Sequence, residues 1–107
     1  MHPVLLITAG DPAGIGPEIS LKALRRPLPR VRVLIIGDAR VFDATARRLS
    51  IRRVHWAVTR SRADAVASRD AITLLDLAHA GAFLSGRASR QAGAASLRYL
   101  DVARDLL

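Results

Sequence analysis

The 107-residue chain contains no cysteine, a single lysine (Lys22) and four aromatic residues, Phe42, Trp56, Phe83 and Tyr99. Without cysteine there is no disulfide framework, no zinc ribbon and no thiol nucleophile. Its first apolar run, "VLLITAG", is too short to span a bilayer and is stopped by Asp11 and Pro12. It also lacks the basic start of a signal peptide. A soluble cytoplasmic protein with no membrane partner is expected. Acidic residues are scarce as well: 9 against 17 basic ones, for a formal charge of +8. Such a surface attracts phosphates and nucleic acid. The arginines are scattered, however, and too few aromatics accompany them to build a stacking platform. Solvated helix faces explain them better, and no nucleic-acid partner is expected.

What is present is a core. Half of the residues are hydrophobic, which suits one domain and excludes a disordered chain. Residues 3–9, "PVLLITA", form an unbroken apolar run with β-branched members, the pattern of a strand buried on both faces. A glycine-rich loop follows. Pro17 suits a first helical turn, and "EISLKALRR" continues the helix with Ile19, Ala23 and Leu24 inward until "RPLPR" stops it. "VRVLII" at 31–36 reads as a second buried strand closed by Gly37–Asp38. A helix over 39–49 carries Val41, Phe42, Thr45 and Leu49 near one face. Strands are expected at 54–58 and 71–77, with the polar stretch "TRSRADAVASRD" exposed between them. Residues 89–106 form the clearest helix. One stripe holds Ala92, Ala95, Tyr99, Val102 and Leu106, and a second holds Gly93, Leu97, Leu100 and Ala103. So wide an apolar face calls for a cover beyond one sheet. Strands alternating with helices predict an α/β layered fold with a largely parallel sheet, in which ligands gather where strands end and helices begin.

The loop at 8–18, "TAGDPAGIGPE", sits at such a place. It is no P-loop, because Gly16 leads into Pro17 and Glu18 instead of lysine and a hydroxyl. Gly14-Ile-Gly16 gives part of a dinucleotide fingerprint. Asp38 stands 24 positions after Gly14 (38 − 14), where a ribose-binding acid would lie, but Asp11 and Glu18 put negative charge where a pyrophosphate would dock. A small nucleotide-binding domain is thus the second reading. Tight-turn chemistry alone is a third, with the two acids merely favouring the helix N-terminus. His2, His55 and His79 show no helical metal-site spacing. Asp76 and His79 are three apart, a common arrangement, and the histidines read as structural or surface groups. Ser20, Ser89 and Thr8 have no visible base partner, so nucleophilic hydrolysis is unsupported.

The string "GDPAGIGPE" resembles the N-terminal signature of the 4-hydroxythreonine-4-phosphate dehydrogenase family. It is similar, too, to the shorter turn of isopropylmalate and isocitrate dehydrogenases. The strand closed by Gly37–Asp38 fits the same family. So does "GRASRQAGAASLRYLDVA", through Gly86, Ser89, Gly93, Tyr99, Leu100 and Ala103. The resemblance runs from about residue 4 to the last residue, and family members are considerably longer. It implies one N-terminal α/β segment, residues 1–107, of a two-subdomain fold that closes as a homodimer around a cleft. It implies NAD(P) and a divalent metal as cofactors, and a phosphorylated hydroxy acid as substrate, oxidised and decarboxylated in vitamin B6 synthesis. Relatives acting on phospho-threonate, phospho-erythronate or aromatic cis-dihydrodiols are the alternatives. The family's metal-binding histidines, nucleotide-binding segments and substrate turn fall beyond position 107. No catalytic or metal residue therefore carries over, and the fragment is expected to be inactive alone. Asp11, Gly14, Gly16 and Glu18 are the expected cleft-lining, cofactor-side residues.

Overall fold

A computed structural model of the chain describes residues 3–26, 28–51, 56–78 and 90–107. Strands and helices alternate: β1 (Val4–Thr8), α1 (Gly16–Ala23), β2 (Arg32–Gly37), α2 (Ala39–Arg48), β3 (Ala57–Thr59), α3 (Arg62–Ala67), β4 (Ile72–Asp76) and α4 (Arg90–Leu106). The strands form one parallel sheet in the order β1-β2-β4-β3. This is the α/β layering that the alternating pattern predicts.

The two central strands are apolar on both faces because helices cover both. Ile35, Ile36, Leu74 and Leu75 are completely buried, and each contributes about 1.5–3 kcal/mol relative to exposure. Neighbouring residues in register share a face, so Leu6, Leu34 and Thr73 look one way and Leu5, Val33 and Ile72 the other. α1 and α2 pack together on the second face, while α3 and α4 cover the first. Phe42 of α2 meets Trp56 edge-on, with ring centroids 5.3 Å apart.

Four local expectations need correction. β1 is not buried on both faces: it is the edge strand, and Val4 and Leu5 remain 46% and 43% exposed. An apolar run records the environment a strand is suited to, and an edge position supplies only part of it. In α1 the inward face is Pro17, Ser20, Leu21 and Leu24, whereas Ile19 and Ala23 face solvent. The helix starts at Gly16 and is rotated relative to the expected stripe. Its regular part also stops at Ala23, short of the prolines. The third strand covers Ala57–Thr59 only, and residues 54–55 lie outside the described set. Finally, the polar stretch after it is not wholly exposed: Ser61 caps α3 by accepting from the Asp64 N–H at 3.2 Å, and Ala65 is buried. An N-cap serine three residues before an acid is the signal that marks that helix.

Candidate functional site

The loop between β1 and α1 is built by its own backbone. Ala9 extends the ladder past β1, donating its N–H to the Ile36 carbonyl at 3.0 Å. Gly10 then turns left-handed at φ 73°, a conformation that favours glycine. Asp11 makes the bend. Its Oδ1 accepts the Ala13 N–H at 2.8 Å, and its carbonyl accepts the Gly14 N–H at 2.9 Å. The chain next folds back onto the strand it left. A Cβ on Gly16 would stand 2.1 Å from the Ala9 carbonyl oxygen, so no side chain fits there. Pro17 enters the first helical turn buried, and Ile19 donates the first helical hydrogen bond to Ile15.

Asp11, Gly14, Gly16 and Glu18 are therefore held on one tight bend at the C-terminal end of the sheet. Their roles in the bend differ. One oxygen of Asp11 is occupied in the turn. Glu18 lies in the first turn of α1 and pairs with Lys22 at 3.9 Å on an exposed flank. There the helix N-terminus favours its charge, and the pair itself adds at most about 1 kcal/mol.

Beside the loop lies a buried polar linkage that joins three segments. Ala9 and Phe42 close over Gly37, and Asp38, next in sequence, is only 1% exposed. The Tyr99 hydroxyl, brought by α4, donates to Asp38 Oδ2. Burial, then the hydrogen bond to Asp38 and its charge, and then the charges of Asp76 and Asp11 push the phenol far above its ordinary value of 10. Asp76, at the end of β4, accepts the Ala39 N–H at 3.1 Å and the Ala78 N–H at 3.0 Å, and faces Arg60 at 3.5 Å. It thus caps α2, a task the side chain of the N-cap residue Asp38 leaves undone. This geometry corrects the second reading of the sequence: Asp38 is enclosed and engaged by Tyr99, and is not presented to a ribose. Sequence reasoning missed both Tyr99 as a partner and Asp76 as a cap. A tyrosine centred in an apolar helix stripe was the available signal, since a buried hydroxyl needs an acceptor.

Among the described residues, no three of His, Asp and Glu lie together as metal ligands. His2, His55, His79, Gly86 and Ser89 fall outside the described residues. A cavity of about 210 Å³ opens at the opposite, N-terminal end of the strands, between α3 and α4, with Val4, Leu6, Arg32, Leu34, Val66 and Leu106 among its walls. It is distinct from the loop. No described helix is long and apolar enough to cross a membrane.

No protein-family profile matches the chain. A Symbiobacterium thermophilum protein, provisionally named D-threonate 4-phosphate dehydrogenase, is 37% identical over 107 residues, covering 92% of this chain and 30% of its own. The 4-hydroxythreonine-4-phosphate dehydrogenase of a Janthinobacterium strain is 36% identical over 105 residues, covering 94% and 31%. In structure, the Burkholderia phymatum 4-hydroxythreonine-4-phosphate dehydrogenase superposes with a TM-score of 0.81 at 28% identity, over 99% of this chain and 33% of its own. The Klebsiella pneumoniae enzyme of that name gives 0.79 at 25% identity, over 99% and 33%. The chain thus spans about 30% of the length of the curated relatives it matches. Both in sequence and in fold, the chain is similar over nearly its whole length to about a third of the 4-hydroxythreonine-4-phosphate dehydrogenases.

Proposed function

We propose that residues 1–107 are the N-terminal α/β segment of a dehydrogenase that uses NAD and a divalent metal to oxidise and decarboxylate 4-phosphohydroxy-L-threonine in vitamin B6 synthesis. The observation that carries this reading is the acidic, proline-locked bend at residues 10–18, seated where β1 ends and α1 begins, at the carboxyl ends of the strands, where such folds take ligands. When bound, NAD would accept the hydride of a secondary alcohol and a divalent metal would polarise that alcohol's oxygen. The described residues do not form a metal site. What this chain supplies is one wall of the cleft. Gly14 and Gly16 keep the wall thin, Asp11 fixes the bend, and Glu18 places a carboxylate beside it.

A chimera tests this. The matched third of the Burkholderia phymatum enzyme is replaced by this chain and assayed for NAD reduction with 4-phosphohydroxy-L-threonine and a divalent metal. Turnover by the chimera, none by the chain alone, and a fall of about tenfold or more in kcat/KM for Asp11→Asn and Glu18→Gln are expected. A folded chimera without turnover overturns the reading. D-threonate 4-phosphate, run in parallel, tests the substrate that the name of the Symbiobacterium relative suggests.

A further inference from the structure

We infer that Tyr99 is a positioning residue for the bend at residues 10–18: its hydroxyl, through Asp38, fixes the strand-end backbone on which that bend is seated. The bearing of this on catalysis rests on the function proposed above; its bearing on the shape of the bend does not.

α4 packs against β1 and β2 on the face opposite α1, and the route from Tyr99 to the bend is a short series of close contacts. The Tyr99 hydroxyl donates to Asp38 Oδ2. Asp38 is where β2 passes into α2, and its carbonyl accepts from Val41 at 3.1 Å and Phe42 at 3.3 Å. Gly37 precedes it. A Cβ there would stand 2.9 Å from the Ala9 Cβ and 3.0 Å from the Phe42 ring, so Ala9 rests directly on this turn. Ala9 is tied to Ile36 through its N–H, and Gly16 presses on its carbonyl oxygen so closely that no side chain fits between them. No contact in the series has room to spare. A shift of Asp38 is therefore passed to Ala9, and from Ala9 to the Gly10 and Gly16 ends of the bend together.

The hydroxyl and the ring of Tyr99 serve different ends. Asp38 is 1% exposed, and the charges of Asp76 and Asp11 reach the same phenol. A carboxylate withdrawn from water among like charges needs donors to hold it in place, and the phenol supplies one. The ring, completely buried, fills the core. Tyr99→Phe removes the first contribution and keeps the second. Val102→Ala, three residues along α4 and also completely buried, removes core packing and leaves the hydroxyl. Reaction rates respond to small displacements of this kind, since about 1 Å of misplacement can cost about a hundredfold.

Amide exchange on this chain reads the bend itself. The Ala13 and Gly14 N–H groups are bonded to Asp11 at 2.8 and 2.9 Å within it. Tyr99→Phe should speed exchange at both by about tenfold or more, and Val102→Ala by less than about threefold, because a loosened core does not release the turn. Asp38→Ala should match Tyr99→Phe, and the double variant should be no worse than either, because a single link is cut. In the chimera described above, Tyr99→Phe should lower kcat by about tenfold or more with both KM values within about threefold, while Val102→Ala keeps the parent kcat. Unchanged exchange at Ala13 and Gly14 in folded Tyr99→Phe overturns the inference. So do equal effects of Tyr99→Phe and Val102→Ala, which would reduce Tyr99 to core packing, and so does an unchanged kcat in a Tyr99→Phe chimera. A parent chimera that folds without turnover overturns the proposed reaction instead, and the exchange rates then decide the positioning alone.

Discussion

At the scale of single residues, the Tyr99 hydroxyl is the group whose surroundings differ most from water. It is the only tyrosine in the chain and is fully buried, with the carboxylate of Asp38 as acceptor. Burial, then Asp38, raise its proton affinity in the fold above the ordinary value of 10. The sign follows from linkage. A group that the fold keeps protonated contributes stability fully present below its unfolded value and lost as pH rises beyond it. Stability should therefore fall above about pH 10, by up to about 1.4 kcal/mol per pH unit. The phenolate absorbance should appear together with loss of circular dichroism, not before it. Tyr99→Phe should remove this steep alkaline loss and lower stability near neutrality by about 1–2 kcal/mol through the missing hydrogen bond. A phenolate signal that develops near pH 10 in a still-folded chain would contradict the buried geometry. The linkage spans 61 positions of sequence. For that reason residue spacing alone could not reveal it, whereas the bend made by Asp11 and Gly16 is local and was readable directly.

At the scale of elements, α4 separates what a periodic pattern can and cannot tell. Of its first stripe, Ala95, Tyr99 and Val102 are buried against the sheet and Leu106 partly so, while the side chain of Ala92 lies outside the described set. Its second stripe is as apolar in sequence, yet Leu97 and Leu100 stand 65% and 52% exposed. Periodicity identifies a face; it does not say which neighbour covers it. The same limit explains Ile19 of α1 and the edge position of β1. Stability measurements on α4 should divide along this line. Val102→Ala should cost about 1–3 kcal/mol, as methyl groups are lost from a packed site. Leu97→Lys and Leu100→Lys should each change stability by no more than about 0.5 kcal/mol. Denaturant midpoints check both. A cost at Leu97 or Leu100 matching that at Val102 would mean that the chain covers this flank by associating with itself in solution.

For the whole molecule, the element order and parallel layering were legible because central strands must be apolar on both faces and helices must follow them. The strand order was not, since nothing in a sequence states that β4 inserts between β2 and β3. The buried wiring around Asp38 and Asp76 depends on that order, so it was hidden as well. Charge is a property that needs no fold to be read. Seventeen basic residues face nine acidic ones. The ion pairs among the described residues are mostly solvent-exposed, as with Lys22–Glu18 at 3.9 Å, Arg62–Asp105 at 3.8 Å and Arg104–Asp101 at 3.5 Å. Such pairs contribute little, while the excess arginines repel one another across the compact state. Screening should therefore help the fold more than it harms it. Raising ionic strength from about 0.01 M to about 0.15 M shortens the Debye length from about 30 Å to about 8 Å, and the thermal midpoint should rise over that range. Chloride and sulfate compared at equal ionic strength separate plain screening, which treats them alike, from anion binding at an arginine cluster, which favours sulfate. A midpoint that falls with salt would show instead that the surface ion pairs, not the repulsion, dominate the electrostatics of this domain.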